Sequence, residues 1–227
     1  MNNLAIIPAR SGSKGLKDKN IKVLNGVPLL SYSVKAALSS KEFSHIMLST
    51  DSQIYAEIGI ECGAEVPFLR NSDNSSDTAS SWDVVREVLE KYHKMGLDFD
   101  NVALLQPTSP LRTADDIRSA FELYRQKNAT SVVSVCETEH SPLWSNTLPD
   151  NRSMNGFISS ANNRQRQKLN TYYRINGAIY IVNVNHFLSG GNIYDSGSYA
   201  YIMPTERSID IDTQLDFLIA ETVMNNL

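Results

Sequence analysis

The sequence predicts an α/β protein built on a mostly parallel β-sheet with helices on both faces. Apolar runs of strand length alternate with segments of helical periodicity along most of the 227 residues, which is the pattern of a doubly wound, Rossmann-like sheet. The continuous apolar run at 102–105 is typical of a central strand that is buried on both faces. With 41% hydrophobic residues, the chain can fill one sizeable core, so we expect a single domain over residues 1–227.

The first half of the chain is expected to alternate strictly between strands and helices. Pro28 suits the first turn of a helix, where its missing amide is not needed. Trp82 and Tyr92 recur at helical spacing with aliphatic residues, so we interpret them as core side chains rather than base-stacking aromatics. The predicted elements are strand 4–7, a helix beginning near residue 28, strand 46–50, helix 52–62, a short strand 65–68, a helix from residue 82 and strand 102–106.

The alternation breaks in the second half of the chain. Residues 137–170 are polar and irregular, and a long segment of this kind inside a compact domain is usually an insertion with a function. We therefore expect an inserted arm or lid at 137–170. The regular elements around it are helix 114–127, strands 131–135, 178–182 and 199–203, and a last helix with Leu215, Leu218 and Ile219 or Val223 along one side.

Composition and charge exclude several classes of protein. The 21 Lys and Arg residues against 25 Asp and Glu give a net charge of -4, so we expect no general affinity for nucleic acid or for an anionic membrane. Residues 1–4 lead directly into the first strand without signal-peptide features, and no apolar run approaches the ~20 residues of a membrane span. A cytoplasmic protein is therefore expected. Cys62 and Cys136 lack metal or redox spacing and are expected to be buried thiols.

The loop after the first strand has the composition of a polyphosphate-binding loop. Between residues 8 and 20 it contains two glycines, small hydroxylated residues and four cations. Glycines let backbone amides approach a phosphate, and cations neutralise its charge. It is not a Walker A loop, because Lys14 lies between the glycines and the final Gly-Lys-Ser/Thr is absent. A basic, solvated turn is the alternative interpretation.

A pair of carboxylates near the end of the chain is a candidate metal site. On a strand, Ile209 and Ile211 would face the core while Asp210 and Asp212 project together from the other side. Adjacent carboxylates repel each other unless a cation lies close by, and Mg²⁺ is often bound by one or two carboxylates plus substrate phosphates. The alternative is that Asp212 or Thr213 caps the last helix, with Asp216 completing a capping box from Thr213.

Three segments together resemble the cytidylyltransferases that activate sugar acids, most closely the acylneuraminate cytidylyltransferase (CMP-sialic acid synthetase) family and more distantly the CMP-KDO synthetases. They are Ile-Pro-Ala-Arg-x-Gly-Ser-Lys-Gly-x-x-x-Lys-Asn at 7–20, Leu-Leu-Gln-Pro-Thr-Ser-Pro-Leu-Arg at 104–112 and Ser-Ile-Asp-Ile-Asp-Thr at 208–213. The resemblance implies a fold of the nucleotide-diphospho-sugar transferase type. It also implies CTP and a nonulosonic acid as substrates, Mg²⁺ (or Mn²⁺) as cofactor, and a homodimer formed through the excursion.

The resemblance also assigns roles to individual residues. It implies Arg10, Lys19, Asp210 and Arg166 as catalytic residues, with Asp210 and Asp212 as the metal ligands. Arg164 is a less favoured substitute for Arg166, whose guanidinium has the right shape for the carboxylate of a sugar acid. For Arg70 and Ser80, the alternative is an ordinary polar loop that caps the helix beginning near Trp82. For Gln106, it is a polar residue that ends a strand. The nucleotide-binding set is Arg10, Ser13, Lys14, Lys19, Asn20, Arg70 and Ser80, and the sugar-binding set is Gln106, Ser109, Arg166, Arg174 and Tyr180.

The expected reaction is CTP plus N-acylneuraminate giving CMP-N-acylneuraminate and pyrophosphate, by attack of the anomeric hydroxyl on the α-phosphate. The alternatives are the same reaction on legionaminate, pseudaminate or KDO, and a non-catalytic nucleotide-binding protein. Three alternatives remain open for the general base: Asp210, a metal-bound hydroxide, or no general base at all. The chain departs from its relatives in one respect, because Trp144 follows the His-x-Pro segment at 140–142, where a basic residue often reaches the neighbouring subunit.

Overall fold

The computed structural model describes residues 1–12, 15–71 and 80–226. In this part of the chain, no helix is long and apolar enough to cross a bilayer. The strands are β1 (Asn3–Pro8), β2 (Val23–Leu24), β3 (Val27–Pro28), β4 (His45–Ser49), β5 (Asn101–Leu104), β6 (Ser131–Glu137), β7 (Tyr173–Asn183) and β8 (Ser198–Ile202). The helices are α1 (Leu29–Ser40), α2 (Gln53–Glu61), α3 (Ser81–Lys94), α4 (Ala114–Lys127), α5 (Val184–Leu188) and α6 (Gln214–Met224).

The main sheet has the strand order β4-β1-β5-β7-β6-β8, and β2 and β3 form a separate ribbon. β1 runs parallel to β4 and β5, and β6 runs parallel to β8. β7 runs antiparallel to β5 and β6. The chain leaves β6 and enters β7 at the same end of the sheet, where the Thr138 amide donates to the Tyr172 carbonyl at 2.9 Å, so β7 must run backwards. The predicted mostly parallel α/β sheet is confirmed, with β7 reversed.

Both faces of the sheet are covered by helices. In β1, Ile7 belongs to the cluster that includes Phe121 of α4, while Leu4 belongs to the cluster that includes Tyr92 of α3. Successive side chains of a strand point to opposite faces, so a strand between two helical layers is apolar at every position. The continuous apolar runs in the sequence have this cause, and Tyr92 is a core residue as predicted. Trp82 is only half-buried.

The predicted short strand at 65–68 is wrong. The structure has only an isolated bridge between Met47 and Glu65, and the chain bends immediately afterwards. The last helix also buries a different side from the one suggested by its leucines. Phe217 and Ala220 pack into a small cluster with Ile211, which fixes the rotation of the helix. The exposed fractions of Leu215, Leu218 and Ile219 are 65%, 49% and 43%.

Residues 138–172 form an irregular segment between β6 and β7. It contains 3₁₀ turns at Pro142–Trp144 and Arg166–Lys168, and most of its side chains are exposed. The Trp144 indole donates to the Asn162 carbonyl at 3.0 Å, which ties the two halves of the segment together. The irregular conformation agrees with the expectation for 137–170, while the role of this segment as an arm or lid stays a prediction.

Candidate active site

The candidate site lies at the carboxyl ends of β1, β4 and β5. The chain passes from β1 to β4 on one side and then to β5 on the other side of β1, so β1 marks a reversal in strand order. Open α/β sheets bind ligands in the crevice beyond such a point. Because β7 is reversed, its amino-terminal half lies at the same edge of the sheet. Segments from four strands therefore reach this crevice.

The loop that follows β1 is anchored to its surroundings at both ends. The amide and hydroxyl of Ser11 donate to the two carboxylate oxygens of Asp51 at 2.7 and 2.8 Å. Burial alone would raise the pKa of Asp51, but the hydrogen bonds from Ser11 and the charge of Arg70 hold the pKa below its usual value. The buried Asn20 side chain donates to the Arg10 carbonyl at 3.0 Å. Ser13 and Lys14, which the sequence assigns to nucleotide binding, lie outside the described residues.

Lys19, in the loop after β1, contacts the segment that carries the two aspartates. Its Nζ donates to the Ile211 carbonyl at 2.7 Å and to Asp212 Oδ1 at 2.8 Å. On the same loop, a Cβ placed on Gly15 would lie 2.8 Å from the Asp212 carbonyl, so only glycine permits this approach. The two motifs, separated by most of the sequence, therefore meet at one place.

The segment that carries the two aspartates is not a strand, and it is held by side chains on both sides. Arg207 forms a bidentate ion pair with the buried Asp116, with distances of 2.8 and 3.0 Å. Asn176 donates to the Ser208 hydroxyl at 2.9 Å. The Ile211 amide donates to the Thr108 carbonyl at 2.9 Å. These contacts place the segment between the loop after β5 and the bulged part of β7.

Asp210 is the more buried of the two carboxylates. Burial raises its pKa, and the charge of Asp212 adds to the rise, while a hydrogen bond from Thr108 and the charges of Lys19 and Arg174 oppose it. Its Oδ1 atom is buried and has no hydrogen-bond partner among the described residues. A buried, unpartnered carboxylate oxygen is costly to the fold, so it is explained best by a ligand.

The donor set of this site fits a hard divalent cation. Asp210 and Asp212 offer only oxygen atoms, which is the donor type that Mg²⁺ prefers. In residues 1–12, 15–71 and 80–226, no group of three or more His, Cys, Asp or Glu side chains gathers to hold a metal. Any cation here would therefore need water and substrate phosphates to complete its coordination, as is usual for Mg²⁺.

The capping alternative holds for the neighbouring residues but not for the aspartate pair. Thr213 is the N-cap of α6 and forms a full capping box with Asp216. The Asp212 amide also donates to Asp216, at 3.1 Å. The carboxylates of Asp210 and Asp212 take no part in the cap, so they are left for another role.

The side of the site predicted to bind sugar surrounds a glycine in β7. Gly177 has a φ of +76°, and a Cβ on it would lie 2.6 Å from Gln106 Oε1 and 3.8 Å from Asp210 Oδ2. Gln106 and Asp210 are thus close neighbours. The half-buried Tyr180 packs edge-on against Trp82 at 5.8 Å, and burial, followed by Tyr194 and Asp210, raises its pKa to about 12. The exposed Arg174 donates to the Ser208 carbonyl at 3.4 Å.

The side of the site predicted to bind the nucleoside contains the half-buried Arg70. Arg70 donates from Nε to the Ser49 hydroxyl at 3.2 Å and from Nη2 to the Ser49 carbonyl at 2.7 Å. Burial lowers its pKa, and Asp51 opposes that shift. Ser80 is the N-cap of α3 and forms a capping box with Asp83, which is the alternative role weighed for it. The preceding residues 72–79 lie outside the described part of the chain.

In the described part of the chain, the side chains of Arg166 and Ser109 make no hydrogen bond to Gln106 or Asp210. The exposed Arg166 lines a cavity of about 260 Å³ at the base of the excursion, together with Glu137 and Ser141, and the lining of that cavity includes neither Asp210 nor Gln106. Ser109 is fully buried, and its hydroxyl has no partner in the described part of the structure. Their roles in binding stay predictions.

Several residues that shape the site were not predicted from the sequence. Asp51 holds the loop after β1, Thr108 and Asn176 hold the aspartate segment, and Gly177 forms the bulge of β7. Asp51 had a signal, since it follows a predicted strand directly at the edge where ligands bind. Gly177 also had one, since an isolated glycine in a strand pattern suggests a bulge or a close backbone approach. Thr108 and Asn176 act through contacts that spacing does not reveal.

Comparison with known proteins gives consistent matches. A family model described as cytidylyltransferase matches residues 4–224. The chain is 39% identical over 220 residues to the N-acylneuraminate cytidylyltransferase of Streptococcus agalactiae serotype V, a match that covers 96% of this chain and 52% of the relative. It is 35% identical over 235 residues to the CMP-N,N'-diacetyllegionaminic acid synthase of Legionella pneumophila, covering 99% of this chain and 97% of the relative. The chain thus spans about half the length of the streptococcal relative and nearly all of the Legionella one.

Solved structures agree on the fold. The CMP:2-keto-3-deoxy-manno-octonic acid synthetase, solved in complex with CTP, superposes with a TM-score of 0.75 at 15% identity and covers 100% of this chain and 99% of that chain. The 4-diphosphocytidyl-2C-methyl-D-erythritol synthase of Anaerococcus prevotii has a TM-score of 0.65 at 14% identity, covering 99% and 98%. At these identities the likeness establishes the fold alone. Because the family model matches nearly the whole chain and a relative matches it at 39% identity, this chain belongs to the cytidylyltransferase family.

Proposed function

We propose that the protein transfers the cytidylyl group of CTP to a nonulosonic acid, with N-acylneuraminate as the first candidate. The observation that carries this proposal is the meeting of Lys19 with the Asp210–Asp212 segment. A cationic loop and a carboxylate pair at one crevice can hold a nucleoside triphosphate from both sides. A protein that only bound a nucleotide would have little use for the half-buried carboxylate of Asp210.

The reaction needs two anions to be held together while charge moves to the leaving group. The anomeric oxygen forms a bond to the α-phosphorus of CTP, and the bond from that phosphorus to the bridging oxygen breaks, so that pyrophosphate leaves. Positioning and electrostatic stabilisation provide most of the catalysis in such transfers. We assign to Arg10 and Lys19 the neutralisation of charge on the phosphates. We assign to Gln106, Arg174 and Tyr180 the orientation of the sugar acid.

Asp210 and Asp212 would hold Mg²⁺, or Mn²⁺ as a substitute, beside the phosphates. When bound, the cation would polarise the α-phosphate and favour ionisation of the attacking hydroxyl. The unpartnered Oδ1 atom of Asp210 supports this assignment because it needs a ligand. Asp212, which is exposed and already contacts Lys19, can adjust to a phosphate at low cost.

No histidine is placed to act as general base among the described residues. His45, His93 and His186 contact the carboxylates of other elements, with distances of 2.9, 2.7 and 3.1 Å to Glu65, Asp98 and Asp195. His140 is exposed in the excursion. Among side chains of the chain itself, Asp210 is therefore our candidate to accept the proton of the anomeric hydroxyl.

The identity of the sugar is the finer part of the proposal. Relatives at comparable identity carry names for N-acylneuraminate, diacetyllegionaminate and pseudaminate activation. We place N-acylneuraminate first because a relative with that name is 39% identical to this chain over 220 residues. We also propose that the segment at 137–170 serves as an arm between two copies of the chain in a cytoplasmic homodimer. Its exposed apolar side chains Leu148 and Met154, at 57% and 62%, support such a contact.

Pyrophosphate release with a panel of sugar acids tests the proposal. CTP and Mg²⁺ would be combined with N-acetylneuraminate, legionaminate, pseudaminate or KDO, and the product identified by mass spectrometry. We expect turnover that is highest with N-acetylneuraminate, abolished by EDTA, and restored by Mg²⁺ or Mn²⁺. Turnover with KDO alone would contradict the substrate class, and CTP binding without turnover on any acid would indicate a nucleotide-binding protein.

A further inference from the structure

Arg112 is a buried cation without a carboxylate partner in the described part of the chain. Its side chain is 3% exposed. Its hydrogen bonds go to neutral groups, and its Nε atom has no partner among the described residues. Burial lowers its pKa to about 10, and the charge of Asp116 only partly opposes this shift. Asp116 itself is occupied by Arg207. Burying an unpaired guanidinium is costly, so this arrangement is not explained by fold stability alone.

The guanidinium instead bridges two backbone segments at the edge of the site. Nη1 of Arg112 donates to the Ala178 carbonyl at 2.7 Å and to the Gln106 carbonyl at 3.2 Å. Nη2 donates to the Ser33 hydroxyl of α1. Ser33 in turn donates to the same Gln106 carbonyl, at 3.2 Å. These hydrogen bonds form a closed network that fixes the end of β5 against β7.

This network lies where the β-ladder between the two strands ends. Register pairs of β5 and β7 run from Asn101 to Leu104, which pairs with Tyr180. Beyond that pair, β7 bulges at Gly177, and its pairing with β6 shifts register. Among the described residues, no ladder hydrogen bond therefore sets the distance between the backbones of β5 and β7 beyond this pair. Arg112 can set it, because Nη1 donates to a carbonyl of each segment at once while Nη2 is held by Ser33.

The distance between these backbones decides where the reactive side chains lie. Gly177 is the residue before Ala178, and a Cβ on it would touch Gln106 Oε1 and lie 3.8 Å from Asp210 Oδ2. A change in the separation of Gln106 and Ala178 therefore moves the Gln106 amide relative to the carboxylate of Asp210. On the nucleoside side of the crevice, Arg70 is held instead by the hydroxyl and carbonyl of Ser49, at the end of β4.

We propose that Arg112, with Ser33, is a positioning residue that sets the placement of Gln106 against Gly177 and Asp210, and so controls binding of the sugar acid rather than of CTP. The inference rests on the proposed function. It does not give Arg112 a contact with substrate, since its side chain is buried beneath the site.

The test compares Arg112→Lys and the milder Ser33→Ala with a control at the opposite end of the sheet. The control is Tyr124→Phe, which removes another buried hydrogen bond, from Tyr124 to Asn101 Oδ1 at 2.7 Å. A lysine keeps the charge but is shorter and lacks the second terminal nitrogen with which Arg112 donates to Ser33. For Arg112→Lys we expect the KM for the sugar acid to rise ~10- to 100-fold while the KM for CTP stays within about twofold. Ser33→Ala should shift in the same direction by less, and Tyr124→Phe should leave both KM values unchanged.

Amide hydrogen exchange gives a readout that does not depend on turnover. We expect faster exchange at residues 106–109 and 176–179 in Arg112→Lys and Ser33→Ala, and no change there in Tyr124→Phe. Equal rises in both KM values, or unchanged exchange in both variants, would overturn the positioning role. If the wild-type protein has no turnover with any acid, the proposed function fails, and the exchange data alone then decide whether the network sets the backbone geometry.

Discussion

Replacing Asp210 by asparagine should separate activity from stability. Asparagine keeps the size of the side chain and an oxygen that can accept from Thr108, but it removes the charge. If the carboxylate holds a cation beside the α-phosphate, its loss removes a stabiliser of the transition state. We expect kcat to fall ~100- to 1,000-fold, equivalent to about 3–4 kcal/mol, as for other preorganised electrostatic groups. The KM for CTP should change less, since Lys19 and Asp212 remain.

The same substitution should not destabilise the fold. Burial and then Asp212 raise the pKa of Asp210, so the ionised carboxylate opposes folding. This cost is absent below the unfolded pKa of about 3.9, grows as the pH rises from there, and is fully present above the raised folded pKa. Removing the charge should therefore leave the free energy of unfolding at pH 7 unchanged or raise it. Any decrease should be no larger than about 0.5 kcal/mol.

Asp195→Asn is the matched control. Asp195 accepts from the Gly197 amide at 2.9 Å in the turn before β8, at the end of the sheet opposite the site. The pKa of Asp195 is lowered, first by this backbone hydrogen bond. We expect this variant to unfold at a lower temperature with unchanged turnover, the reverse of Asp210→Asn. Steady-state pyrophosphate release and urea unfolding of both variants provide the comparison. Wild-type-like turnover in Asp210→Asn, or a loss of stability larger than its loss of turnover, would refute the reasoning.

Three further predictions follow from contacts at the site. Lys19→Met should lower kcat/KM for CTP ~100-fold, because it removes the charge that faces the phosphates. Lys17→Met, on the same loop, should have little effect on kcat/KM. Equal kinetics in the two variants would exclude Lys19 from the site. Gly177→Ala should raise the KM for the sugar acid and destabilise the fold by ~1–2 kcal/mol. Its control is Gly190→Ala, because Gly190 has a similar positive φ but open space around it. The control should lose stability without a change in KM. Arg207→Met should lower the unfolding free energy by ~3 kcal/mol, measured by urea titration, because its buried carboxylate partner loses its cation; a loss below ~1 kcal/mol would contradict the anchoring role.

Part of the candidate site could be predicted because its signals are local. The phosphate loop is recognisable from glycines and cations in one short stretch, and Asp210 and Asp212 from their alternation with isoleucines. The convergence of Lys19 with Asp212 follows from the sheet, since a loop after β1 and a segment beside β7 reach the same edge. By contrast, the capping alternative was settled only by geometry, which gave the cap to Thr213 and Asp216.

The sequence by itself determined the alternation of strands and helices, the two-sided core and the chemistry of the two motifs, because hydrophobic periodicity and short-range composition encode them. The tertiary structure decided the reversal of β7, the side on which α6 packs, the location of Arg166 at the base of the excursion, and the network around Arg112. Each of these depends on contacts between residues far apart in the chain. Their energies depend on distance and burial, which no spacing in the sequence records.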